Sequence, residues 1–121
     1  MHATLSKSFT FDAAHRLDGL PPDHKCHRLH GHTYHVEVIV AGVVQANGFV
    51  IDYAEIAAAW APIHEALDHR LLNEVGGLEV PSTEVLCSWI IRRLRERLSS
   101  LARIRVYESS TTWCEMDVGD A

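Results

Sequence analysis

The sequence predicts an α+β domain, a four-stranded antiparallel sheet with two helices on one face, in the order strand, strand, helix, helix, strand, strand. Three observations carry that expectation. Apolar and polar residues alternate, with the period of a half-buried strand, through residues 3–17, 30–43, 102–109 and 111–117. Apolar residues recur at helical spacing after Asp52 and again after Ser82. The strand pairs flank the helical pair, so both helices are expected over one face of a common sheet.

In the first strand Leu5, Phe9, Phe11, Ala13, His15 and Leu17 share a face, while Thr4, Ser6, Ser8, Thr10 and Asp12 lie on the other. The connection DGLPPDHKCHR is loop by composition. HGHTYHVEVIVAGV, rich in β-branched residues, forms the second strand and closes in a turn near Gln45–Gly48. Asp52 with Glu55 three residues later marks a capped helix start, followed by Ile56, Trp60, Ile63 and Leu67 on one stripe and by Pro62, which should kink it. The second helix begins after Ser82 or Thr83, turning Val85, Leu86, Trp89, Ile90, Leu94 and Leu98 inward. Its Arg92, Arg93, Arg95 and Arg97 form a solvated face. One sheet face carries no layer, and the second strand shows Ile39 and Ala41 there, so self-association is expected to cover it.

At 121 residues the chain reads as a single domain, 1–121. A formal net charge of −5 argues against a basic nucleic-acid surface. No apolar run is long enough to span a bilayer, and MHATLSKSFTF lacks a signal-peptide core, so a cytoplasmic location is expected. Cys26, Cys87 and Cys114 are an odd, unpaired set, which makes a disulfide framework a poor reading. Cys87 and Cys114, on a helix and a strand, read as structural, and Trp60 and Trp89 as core.

The histidines stand out. Six of nine fall between His15 and His35. His30 and His32 are i and i+2 on a strand and project together; Gly31 between them leaves the other side open to close approach. His15 lies near the end of the preceding strand, which adjoins the start of the second if the two pair as antiparallel neighbours. An isolated histidine is more often a core or surface residue, but HxH with a third histidine on the partner strand points to Zn2+. Three protein ligands and one open position is the pattern of a catalytic zinc. His35 faces away from the HxH side, and His24 and His27, in the loop, read as solvated or supporting residues.

The run Lys25-Cys26-His27-Arg28-Leu29-His30-Gly31-His32 resembles the CxxxHGH signature of the 6-carboxytetrahydropterin synthases, close relatives of the 6-pyruvoyltetrahydropterin synthases. FDAAHRL (11–17), FVIDYAEI (49–56), LDHRLLN (67–73), PSTEVL (81–86) and Glu108 in VYES fit in order, from about residue 5 to 110. The 6-pyruvoyl branch tends to place more residues between the cysteine and HGH, so the three-residue gap here favours the 6-carboxy branch. The resemblance implies a tunnelling fold assembled as a homohexamer of two trimers. The activity it implies converts the pterin 7,8-dihydroneopterin triphosphate to 6-carboxy-5,6,7,8-tetrahydropterin, acetaldehyde and triphosphate, an early step toward queuosine and related deazapurines.

The same resemblance gives Cys26 the role of general base, and a thiol beside a cation does lose its proton more readily. Asp68 and His69 match a proton-relay pair, with His69 the acid/base group and Asp68 orienting it. Without that match, a histidine at a helix C-terminus is equally well accounted for by the helix dipole. Glu108 shares its strand face with Ile104 and Val106, where a carboxylate is costly without a partner. The planar two-donor edge of a pterin would satisfy it, and Glu108 is expected to anchor the ring, with a share in the relay. Lys25, Arg28 and Arg16 are the nearest candidates for the triphosphate. Two alternatives stay open from sequence: a sister activity, 6-pyruvoyltetrahydropterin synthesis or an aldolase-type cleavage, and a metal- or pterin-binding subunit without turnover. Intact Cys26, Asp68, His69 and Glu108 speak against the second.

Overall fold

The computed structural model describes residues 1–121. Its strands are β1 (His2–His15), β2 (His30–Val43), β3 (Arg70–Leu71), β4 (Leu101–Tyr107) and β5 (Trp113–Asp117), and its helices are α1 (Tyr53–Leu67) and α2 (Thr83–Leu94). The sheet is therefore five-stranded and mixed, in the order β3-β1-β2-β4-β5, and not the four-stranded antiparallel sheet expected. The difference is β3, two residues that pair parallel to β1 through Ala13↔Arg70 and Ala14↔Leu71. The other three pairings are antiparallel.

β1 and β2 form an unbroken ladder of 14 residue pairs, from His2↔Val43 to His15↔His30. Along β1 the odd-numbered side chains turn inward, ending in buried Phe11, Ala13 and His15, and along β2 Tyr34, Val36, Val38 and Val40 meet them. Phe11 stacks on Tyr34 and Phe9 on Trp60, with ring centroids 4.9 and 5.0 Å apart. α1 lies against β1, and α2 against β4 and β5. Ile56, Trp60, Ile63 and Leu67 of α1 and Leu86, Ile90, Ile91 and Leu94 of α2 complete one core of 23 buried residues between helices and sheet. Cys87 lies in that core, and both expected core tryptophans, Trp60 and Trp89, are buried.

The helix starts are those the capping residues specify. Asp52 accepts from the Ala54 N–H at 2.8 Å, and Ser82 from the Val85 N–H at 3.2 Å. α1 runs through Pro62, which sits on its exposed side, without a break in the helix. Strand ends shift slightly from expectation. β1 stops at His15 because the Asn73 side chain takes over the Arg16 backbone, accepting from its N–H at 3.0 Å and donating to its C=O at 2.9 Å. β4 ends at Tyr107, so Glu108 lies one residue beyond it. No helix is long and apolar enough to cross a membrane.

Trp60 is 3% exposed and wedged between Phe9 and Phe11. Trp60→Ala is expected to cost about 3–5 kcal/mol of stability, read as a lower urea midpoint with an unchanged m-value.

Candidate active site

β1 delivers His15 as its last residue and β2 delivers His30 as its first, and the register sets the two opposite one another, with His32 opposite Ala13. The pleat sends His30 and His32 to the inner face, where His15 already points. One nitrogen from each ring falls within 4.8 Å of the other two. His15 is buried, and the other two are half-buried.

The hydrogen bonds of these rings fix their tautomers. His15 Nδ1 lies 2.9 Å from the Pro81 carbonyl oxygen, and His30 Nδ1 lies 2.6 Å from that of Arg28. A carbonyl only accepts, so each Nδ1 carries the proton and each Nε2 keeps a lone pair. Yet the two Nε2 atoms face each other at 3.0 Å. Swapping either tautomer only moves the conflict onto a carbonyl. His32 Nε2 is buried with no hydrogen-bond partner at all. Two facing lone pairs beside a buried ring nitrogen that has no partner are costly in a protein interior, and one cation answers all three at once. The donor set fits a metal ion.

Electrostatics agree. Burial, the largest influence, holds His15 below the ordinary imidazole value of 6.5, with the Pro81 hydrogen bond and Glu108 opposing it in part. Burial does the same to His32. Both are neutral ligands at pH 7. Tyr34, wholly buried, brings its hydroxyl to 3.3 Å from His15 Nδ1, and burial followed by the Glu108 charge pushes its phenol far up. The charge of half-buried Glu108 reaches His15, His32 and Tyr34, so Glu108 lies close to the cluster.

Cys26 sits on a 3-10 turn, Lys25–His27, that precedes β2. The His24 ring accepts from the Cys26 N–H at 3.0 Å, and the Cys26 carbonyl accepts from the Leu17 N–H at 3.0 Å. Its thiol is free and half-buried, and its sulfur is not one of the three clustered ligand atoms. His27 is tied through Nδ1 to the Leu20 carbonyl at 3.0 Å, and His35 is exposed on the outer sheet face, so neither joins the cluster. Arg16 is exposed and pairs with Asp18 at 3.3 Å, while Lys25 and Arg28 are exposed on the same loop.

Asp68 and His69 do bond to each other, at 2.9 Å from carboxylate Oδ2 to imidazole Nδ1. His69 has φ +57°, the left-handed region that side chains rarely adopt, and it is the only non-glycine residue there. The strain is held by backbone bonds to β1. The Asp12 N–H donates to Asp68 Oδ1 at 3.0 Å, and the His69 N–H donates to the Asp12 carbonyl at 2.6 Å. The Asp12 N–H is the chief reason the Asp68 carboxyl lies below its usual value, and the Asp68 hydrogen bond is the chief reason His69 lies above its own. His69 lines a depression of about 580 Å³ with Asp12 and Thr33, whose side chains belong to the outer face, and with Gly31, Ala13 and His32. So the structure gathers His15, His30 and His32 on the inner face, with Glu108 close to them, and sets Asp68–His69 at the sheet edge, opening outward.

Four supporting groups carried no signal in the sequence: the Pro81 carbonyl, Tyr34, Asp12 and Asn73. Asp12, Pro81 and Asn73 do lie within the motif segments FDAAHRL, PSTEVL and LDHRLLN, which was the one hint of them.

Fold and site define a small α+β enzyme domain built around a three-histidine cation site at the end of a strand pair. The chain matches the 6-pyruvoyl tetrahydropterin synthase family over residues 4–118; it belongs to that family and is one of its pterin-processing lyases. It is similar to the 6-carboxy-5,6,7,8-tetrahydropterin synthase of Synechocystis sp., 36% identical with 89% of this chain and 88% of that one covered. It is also similar to the dihydroneopterin monophosphate aldolase of Pyrococcus furiosus, 31% identical over 97% of this chain and 99% of the relative. The solved structure of Caenorhabditis elegans 6-pyruvoyl tetrahydropterin synthase superposes with a TM-score of 0.88 at 23% identity, covering 97% of this chain and 96% of that one, which shows the shared tunnelling fold.

The Asp68–His69 pair has a defined pH window. With its value raised, protonated His69 contributes stability fully below 6.5 and loses it as pH rises through the raised value. With its value depressed, ionised Asp68 contributes above 3.8 and loses it as pH falls through the depressed value. Asp68→Asn is expected to bring the His69 midpoint down toward 6.5, as read by NMR titration of its ring proton.

Proposed function

We propose that this chain is a zinc-dependent 6-carboxytetrahydropterin synthase, converting 7,8-dihydroneopterin triphosphate to 6-carboxy-5,6,7,8-tetrahydropterin, acetaldehyde and triphosphate on the route to queuosine and related deazapurines. The observation that carries it is the convergence of three imidazole nitrogens, one of them buried without a partner, within reach of the Glu108 charge. His15, His30 and His32 would hold the ion. When bound, zinc supplies Lewis acidity that lowers the pKa of the substrate's side-chain hydroxyls and polarises the developing carbonyl.

The chain's own residues divide the remaining work. Glu108 grips the amino group and ring N–H of the pterin, two donors in one plane that match a carboxylate. That contact places the pterin side chain over the histidine cluster. Cys26 removes a proton from that side chain as general base. His69, poised above the usual imidazole range by Asp68, holds the proton that the departing fragment requires and can take it back. Lys25 and Arg28 carry the positive charge nearest to where the triphosphate lies.

Because the metal histidines face inward and His69 opens outward at the sheet edge, a site completed by a neighbouring copy is part of the proposal. A homohexamer of two trimers would supply it and would cover the bare sheet face. A cytoplasmic setting goes with this activity. Retro-aldol cleavage of a dihydroneopterin is the second reading, favoured by the Pyrococcus furiosus relative that matches 97% of the chain. The third, 6-pyruvoyltetrahydropterin formation, uses nearly the same residues. A binding subunit without turnover is set aside, since the chain belongs to a family of enzymes.

Product analysis separates these activities: zinc-loaded protein with 7,8-dihydroneopterin triphosphate, mass spectrometry of the pterin, and an acetaldehyde assay. A 6-carboxylated pterin with acetaldehyde is expected, and a 6-pyruvoyl or 6-hydroxymethyl product would overturn the assignment. Cys26→Ala is expected to lower turnover by about 10²–10⁴-fold, the contribution of a general base, with metal content unchanged. His30→Ala is expected to lose the metal on dialysis, measured by inductively coupled plasma mass spectrometry.

A further inference from the structure

The segment after α1 lies beside the end of β1 and is bolted to it at both ends of the two-residue strand β3. At one end the Asp68 carboxylate accepts from the Asp12 N–H at 3.0 Å, and the His69 N–H donates to the Asp12 carbonyl at 2.6 Å. In the middle, Arg70 and Leu71 pair with Ala13 and Ala14. At the other end the Asn73 side chain makes both bonds that a strand neighbour would make to Arg16, accepting from its N–H at 3.0 Å and donating to its C=O at 2.9 Å. One residue on, the Leu17 N–H donates to the Cys26 carbonyl at 3.0 Å. Chain direction at Arg16 therefore sets where Leu17 points, and Leu17 is the tether of the turn that carries Cys26.

We infer that Asn73 is a positioning residue for the reaction: its amide clamps Arg16 so that the loop of residues 16–29 leaves β1 in the one direction that presents Cys26 to the substrate. The inference rests on the role proposed above for Cys26. The chemistry of the amide accounts for the residue type. A carboxylate at position 73 would accept from the Arg16 N–H but would face the Arg16 carbonyl with no proton to donate, and an aliphatic side chain would do neither. The clamp also ends the β1 ladder, since a side chain occupying Arg16 leaves no place for another strand residue. In this way it links the Asp68–His69 segment to the Cys26 loop through five residues of β1 and its exit. The three histidines are held chiefly by bonds that Asn73 does not make: the β1–β2 ladder sets His15 opposite His30, and the Pro81 carbonyl accepts from the His15 ring.

The test compares the zinc-loaded wild-type oligomer with Asn73→Ala and Asn73→Asp. Three quantities are read: kcat and KM on 7,8-dihydroneopterin triphosphate, zinc per chain, and the rate at which iodoacetamide alkylates Cys26. Peptide mass mapping follows that alkylation, with half-buried Cys114 as the control in the same sample. Misplacing a base by a fraction of an ångström acts on kcat more than on KM, and a drop in kcat of about tenfold or more is expected for Asn73→Ala. Asn73→Asp, which keeps one of the two bonds, should fall between it and wild type. Zinc content should stay level. Cys26 should be alkylated about threefold faster or more as its tether opens, with Cys114 unchanged.

Wild-type kcat and Cys26 reactivity in both variants would overturn the inference. So would loss of zinc together with faster alkylation of Cys114, because Asn73 would then be holding the whole fold. Should Asn73→Ala fail to fold, Asn73→Asp is read by the same criteria. Failure of the base assignment looks different: Cys26→Ala would turn over normally, while the alkylation rates would still report whether Asn73 holds the loop.

Discussion

The pairing of β1 with β2, in the register that puts His15 opposite His30, is the constraint on which the rest of this molecule depends. Side chains alternate with period two, so a slip by one residue would turn the entire inner row of β1 to solvent and break up the three-histidine cluster. The register is secured far from the site. Phe9, Phe11, Tyr34, Val36 and Val38 fill the space under α1 and α2, and no slipped pairing could bury them. Core packing is thus what aligns the histidines, and the hydrophobic stripe and the histidine stripe are one continuous row along each strand.

Against that background the histidines are a local cost that the fold tolerates. His15 is 1% exposed, and its ring competes with apolar neighbours for a place where burial alone disfavours charge. Backbone carbonyls from two directions resolve the tautomers of His15 and His30, leaving their Nε2 lone pairs to converge beside the ring of His32. Such preorganisation is what a catalytic site needs, because no ring has to reorient when the ion binds. The Pro81 carbonyl comes from the residue just before the Ser82 cap of α2. Capping that helix therefore also fixes where the His15 proton points.

Much of this was legible from sequence, and the reasons differ by element. The long strands and both helices announced themselves through period and caps. Alternation over 14 residues suits only an extended chain with one buried face, and an Asp or Ser cap before an apolar stripe suits only a helix start. The three-histidine cluster followed from HxH on a strand with a third histidine on its neighbour. β3 was not legible. Two residues carry no period, and its pairing with β1 spans more than fifty positions. The same distance hid Asp12, Pro81 and Asn73, whose roles are played by backbone groups or by a side chain acting as backbone. Asp68–His69 was a weak signal for a related reason. Adjacency in sequence does not by itself bring two side chains together, and the positive φ at His69 is visible only in three dimensions.

The strained His69 shows how the two halves of the site are connected. A left-handed imidazole-bearing residue persists only where its surroundings over-determine it. Here the determinants are two hydrogen bonds to Asp12, three residues upstream of His15 on the same strand. β1 therefore carries one end of everything: Asp12 holds the Asp68–His69 segment at its edge, His15 enters the histidine cluster on its inner face, and Arg16 and Leu17 release the Cys26 loop from its end. The two faces of a sheet are kept apart by the sheet itself, so the stiffness of β1 fixes the spacing between His15 on its inner face and the Asp68–His69 pair at its edge.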